Sequence, residues 1–150
     1  MKDPLQIQNQ PGLIFGTVSE PNNDDLESLR KSLKAFNDSI TGEYEEKEIA
    51  AFVKNSQGDV VGGIYGKLTA GWFYIDWLWI HDELRHRKIG SKLLKKMEDY
   101  AIGRGITKCH LETTSFQALD FYRKNGYEIF GKLNDKPPGH VSYFLKKELN

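Results

Sequence analysis

The chain predicts a mixed α/β fold, on three observations. Apolar residues recur at helical spacing over residues 24–36 and 89–103, strand-like runs stand between and after them, and the strand–helix–strand order around residues 72 to 113 needs a crossover, hence a parallel pair. A sheet covered by helices follows. With 150 residues, 39% of them hydrophobic, the chain reads as a single domain over residues 1–150 with one substantial core. Fourteen glycines and five prolines are ordinary usage, which excludes collagen-like, low-complexity and wholly disordered classes.

The segment DDLESLRKSLKAF sets Leu26, Leu29, Leu33 and Phe36 on one helical face, with Asp24 and Asp25 where the helix dipole favours negative charge. EIAAFVKN and VVGGIYGKLT flank the turn residues Ser56, Gln57, Gly58 and Asp59 and predict a hairpin, with a bulge expected at Gly62 and Gly63. A second turn at Ala70 and Gly71 leads into WFYIDWLWI, residues 72 to 80, apolar on both faces as in a central strand. From Ile89 to Gly103 the residues Ile89, Leu93, Leu94, Met97, Tyr100 and Ala101 form an apolar stripe, with Lys92, Lys95, Lys96, Glu98 and Asp99 opposite. TKCHLETT then reads as a strand, QALDFYRKN as a short helix closed by Asn125 and Gly126, and YEIFGKL and HVSYFLKKEL as two last strands.

Chemistry concentrates in WLWIHDELRHRKIGSKLL, where a buried strand runs through a short polar loop into a helix start. Free amides at such a start, with the helix dipole, suit phosphate oxygens. Arg85, Arg87 and Lys88 crowd the opening, and Gly90 lets an anion approach the backbone. A solvated basic turn before an ordinary helix is the plainer reading of the same residues. The segment resembles the acyl-CoA-binding motif of the GNAT superfamily of N-acetyltransferases: Arg or Gln, two residues, Gly, one residue, then Gly or Ala. Arg85, Lys88 and Gly90 occupy its defined positions, so a lysine stands for the first glycine. FQALDFYRKNGYEIFG resembles the second signature of that family, an alanine-containing helix ending in a tyrosine, followed by a glycine and an aromatic residue. Ser115 replaces an asparagine common there.

The resemblance implies a GNAT-like mixed, mostly antiparallel central sheet with a splayed parallel strand pair, flanked by helices. It implies acetyl-CoA as co-substrate, its pantetheine arm held by the backbone of Leu78, Trp79 and Ile80 and its diphosphate over Arg85, His86, Arg87, Lys88, Ile89, Gly90 and Ser91. An amide at Leu78 or Trp79 would stabilise the oxyanion. Tyr122 aligns with the tyrosine that protonates the departing thiolate, a phenol protonated at neutral pH. Asp76 is the leading general base, since simple alternation sets it on the side of Leu78 and Ile80, where desolvation would raise its pKa; a structural carboxylate is the competing reading. Glu112 is a second candidate, acting through water.

His81, His86, His110 and His140 are scattered without metal-ligand spacing, so no metal is expected. Cys109 fits a buried small apolar residue. Glu43, Glu45, Glu46 and Glu48 form either a solvated face or an attraction for a cationic substrate. Residues 1–75 carry 11 acids against 7 bases and residues 76–150 carry 10 against 14, which permits an amine on one side and anionic CoA on the other. The expected activity is acetyl transfer to the primary amine of a small molecule, peptide or protein, by direct attack in a ternary complex. A catalytically silent acyl-CoA sensor is the alternative. Zero net charge and a short basic cluster argue against nucleic acid. The N-terminus lacks an apolar leader, and the richest apolar run is too short to span a bilayer as a helix, so a cytoplasmic protein off the membrane is expected. The aromatic-rich C-terminal strands leave a homodimer open.

Overall fold

The computed structural model describes residues 12–150, and the chain divides into two compact units, Met1–Glu43 and Tyr44–Asn150. In the first, α1 spans Asn23–Thr41. It starts because Asn22 accepts a hydrogen bond from the Asp25 amide at 2.8 Å, and it ends at Gly42, whose φ of 72° lies in the left-handed region that favours glycine. The helix runs five residues past the predicted Phe36, because Ile40 prolongs the apolar stripe.

The second unit is built on a six-stranded sheet of β1 (Lys47–Lys54), β2 (Val60–Thr69), β3 (Trp72–Ile80), β4 (Lys108–Thr114), β5 (Glu128–Asn134) and β6 (Val141–Glu148), in the order β1-β2-β3-β4-β6-β5. Every pairing is antiparallel except β3 with β4. Positive φ at Ala70 (49°) and Gly71 (79°) turns β2 into β3 with a twist that matches the strands. The helix α2 (Ile89–Gly103) crosses from β3 to β4, and the short α3 (Leu119–Lys124) follows β4. One face of the sheet carries the core, with Ile64, Phe73, Ile75, Leu111 and Leu145 packed with Leu94 of α2.

Three local features depart from the sequence expectations. Towards β3, Gly62 and Gly63 pair regularly with Ile80 and Trp79, but towards β1 the register shifts between Val53 and Lys54, leaving Val61 as an extra residue beside Gly62, next to the expected bulge; a Cβ on Gly62 would stand 2.9 Å from the end of the Ile80 side chain. A second bulge, which the sequence did not predict, lies further along: Tyr65 faces Trp77 and Gly66 faces Ile75, leaving Asp76 as an extra residue. Glu98, expected on the polar side of α2, is buried, because Lys147 reaches it at 2.9 and 3.0 Å and the Tyr127 hydroxyl donates to it at 2.9 Å. Tyr100 is instead the exposed member of the expected stripe, with Lys47 and Arg104 against its ring.

Candidate active site

The parallel pair is short: β3 and β4 pair only over Phe73–Ile75 and Cys109–Leu111. Beyond that level β4 stays on β6 as far as Thr114, while β3 stays on β2 as far as Ile80. The two strands therefore part. The amide of His81 donates to Val61 at 2.9 Å, so the two-residue period of the ladder turns the amides of Trp79 and Trp77 to β2 and leaves those of Leu78 and Ile80 facing the gap. This differs from the expectation that Trp79 would share in the gap with its neighbours. The bulge sets that phase, since one extra residue exchanges the two sides of the strand.

Asp76 is displaced by the same bulge. Leu78 and Ile80 lie against the core, whereas Asp76 is exposed, so the desolvation expected of it is not met. It forms no hydrogen bond or ion pair among the described residues. Glu112 stands in β4 one residue past the last paired position, and is held by Lys136 at 2.6 Å and by the Ser142 hydroxyl. Those hydrogen bonds, Lys136 first, hold its carboxyl below the usual glutamate range.

At the mouth of the gap a 3-10 turn, Asp82–Leu84, is started by His81, whose Nδ1 accepts from the Glu83 amide at 3.4 Å. Arg85 is anchored there, its Nε donating to the Ile80 carbonyl at 3.1 Å and its guanidinium paired with Asp82 at 2.7 Å. His86 (φ 62°) and Lys88 (φ 60°) are both left-handed, with Arg87 between them on the negative side. Such alternation turns successive amides to one side and makes a concavity for anions. Lys88 is the N-cap of α2 without a side-chain cap bond, and its carbonyl accepts from Lys92 at 3.1 Å, so the amides of Ile89, Gly90 and Ser91 open the helix. A Cβ on Gly90 would stand 3.1 Å from the Phe121 ring, so this glycine also admits α3 against the start of α2.

Phe121 brings its neighbour with it. Tyr122 is 4% exposed and edge-on to Phe121 and to Tyr127 at 5.2 and 5.5 Å. Burial pushes the phenol above its usual range, so it stays protonated and able to donate. Cys109 is fully buried, its Sγ lies 3.2 Å from the Tyr127 hydroxyl, and its thiol is pushed up to about 12 by burial, which leaves it inert. Ser115 bonds both ways to Val141 and so ties α3's approach to β6. His140 lies edge-on to Phe116 at 4.7 Å. Among the described residues no group of His, Cys, Asp or Glu gathers to hold a metal, and no helix is long and apolar enough to cross a membrane.

Sequence reasoning missed the outer face of the sheet beside the gap. There Tyr65 stacks on Trp77 at 4.7 Å and donates to Glu48 at 2.6 Å, while Tyr74 stacks on His110 at 4.9 Å. The odd and even alternation of β1, β2 and β4 contains this signal, but β3 changes phase at Asp76 and hides it.

A strand edge left open thus stands beside a turn whose amides converge at a helix start, with a protonated phenol behind it. The chain belongs to the acetyltransferase (GNAT) family, whose profile matches residues 19–127. It is 34% identical over 101 residues to the blasticidin-S acetyltransferase of Streptomyces morookaense, covering 67% of this chain and 74% of that one. It is 28% identical over 120 residues to the acetyltransferase Atu2258 of Agrobacterium fabrum (strain C58 / ATCC 33970), over 80% and 88% of the two chains. The crystal structure of an acetyltransferase from Bacillus cereus ATCC 14579 superimposes with a TM-score of 0.83 at 31% identity, over 89% of this chain and 98% of that one. The mixed sheet with its single parallel pair is the fold expected from the sequence.

Proposed function

We propose that the protein transfers the acetyl group of acetyl-CoA to a primary amine by direct attack in a ternary complex. The observation that carries this reading is the parting of β3 from β4 after Ile75, which leaves the backbone of Leu78 and the amide of Ile80, whose carbonyl is held by Arg85, to pair with an extended arm. The diphosphate rests on the amides that follow Lys88, with Arg87 and Lys88 as counter-charges. The Leu78 amide donates to the thioester oxygen as negative charge develops there, a contribution of about 3 kcal/mol.

The neutral amine attacks the thioester carbon, the carbon–sulfur bond breaks, and the sulfur takes the Tyr122 proton. The proton lost by nitrogen passes to Asp76, directly or through water. Asp76 is favoured over Glu112 because it has no hydrogen-bond partner of its own, whereas Glu112 is engaged twice. A location off the membrane and a small-molecule acceptor are part of the same reading, in line with the relative named for blasticidin S.

Calorimetry with acetyl-CoA, followed by thiol release across a panel of primary amines, tests it. Binding with acetylated product is the expected result. Binding without thiol release on any amine assigns the chain to acyl-CoA sensing, and absence of binding rejects both.

A further inference from the structure

The face of the sheet opposite α2 is unusually rich in exposed rings. Trp77 is 66% exposed, Trp79 50% and Phe52 60%. They surround the Tyr65–Trp77 stack, and all stand on β1, β2 and β3 at or beyond the level where β3 leaves β4. Carboxylates alternate with these rings. Glu46 is matched by Lys67 at 2.9 Å and Glu112 by Lys136 at 2.6 Å. Glu48 and Asp76 form no ion pair among the described residues, and Glu48 has only the neutral Tyr65 hydroxyl. Their charges meet at one place: the Tyr65 phenol is raised by the Glu48 hydrogen bond first, then by burial, by the charge of Glu48 and, against an opposing pull from Lys67, by that of Asp76.

Glu48 and Asp76, outside any ion pair among the described residues and facing only Lys67, which is already bound to Glu46, leave an excess of negative charge among open aromatic faces that is complementary to a cation, through charge and through the ring quadrupole. The reacting amine does not supply that cation, because it must be neutral to attack. We infer that the acceptor is a small molecule with a second, permanently cationic group, an ammonium or guanidinium seated against Trp77 and Glu48 while the amine meets the thioester beside Asp76. This rests on the acetyl-transfer reading and narrows its acceptor. Strands lie about 4.8 Å apart, so the two nitrogen centres stand roughly 5–10 Å from one another.

Three primary amines of similar length separate the cases: agmatine, with a guanidinium at its far end; n-pentylamine, with none; and 6-aminohexanoate, with a carboxylate. Agmatine should exceed pentylamine about tenfold or more in kcat/KM, the gain lying in KM and shrinking with added salt, with 6-aminohexanoate poorest. Glu48→Gln and Trp77→Leu should each reduce the agmatine-to-pentylamine ratio about tenfold. The heat of acetyl-CoA binding reports that each variant is folded. If acetyl-CoA binds and the three amines react alike, this inference is overturned while acetyl transfer stands; if acetyl-CoA does not bind, both fall. Concentration-dependent dimerisation that Trp77→Glu abolishes, with no saturation by agmatine, would give the face to a second copy and overturn the inference.

Discussion

Lys88 shows how a single side chain bears on this site. Its φ of 60° costs an L-residue about 1–2 kcal/mol, and it makes no capping bond in return. Lys88→Gly should therefore raise the urea-unfolding free energy by about 1 kcal/mol while weakening acetyl-CoA binding several-fold through the lost cation; an unchanged midpoint would contradict the strain. Tyr122→Phe keeps the packing against Phe121 and Tyr127 but removes the proton, so steady-state turnover should fall about 100-fold with acetyl-CoA affinity preserved. Glu112 sets a pH dependence. Its carboxyl is lowered in the folded state by Lys136 and Ser142, so the stabilisation is complete above the unfolded glutamate pKa of about 4.3 and is lost as pH falls through the lower folded value. Urea unfolding between about pH 3 and 6 should show that acid slope, and Glu112→Gln should flatten it.

At the scale of elements, the bulge in β3 governs which backbone groups face the gap. It depends on Gly66, because a Cβ there would lie 2.2 Å from the Tyr74 carbonyl oxygen and 2.8 Å from the Phe73 ring. Gly66→Ala should cost about 3 kcal/mol or more in equilibrium unfolding, and the backbone shift should lower turnover of the surviving folded fraction. The elements themselves were legible in the sequence: β3 and α2 occupy the predicted residues 72–80 and 89–103, since long periodic runs bounded by turn residues carry their own signal. The parallel pairing was legible too, through the crossover. What escaped was set by partners distant in sequence. Nothing local puts β6 between β4 and β5, buries Glu98 beneath Lys147, or adds a second bulge at Asp76, because each is decided by a neighbour that arrives from elsewhere in the chain. The cradle at Arg85 to Ser91 was readable as a motif, whereas the outer aromatic face needed the strand register.

In the whole molecule, the unequal charge of the two halves takes a physical form. The first half contributes Glu46, just before β1, and Glu48 on it, and the second contributes Arg85, Arg87 and Lys88 ahead of and at the start of α2, so acidic and basic ends belong to different parts of one unit. The contact of Gly90 with Phe121 joins the basic end to the phenol next in sequence. On the acetyl-transfer reading, a donor seated on the amides of Ile89, Gly90 and Ser91 lies over the glycine that Phe121 approaches, so donor and acid share one contact. Gly90→Ala, which asks Phe121 to yield by a few tenths of an ångström, should depress turnover at saturating acetyl-CoA as well as affinity, and pre-steady-state mixing should reveal acetyl-CoA adding ahead of the amine.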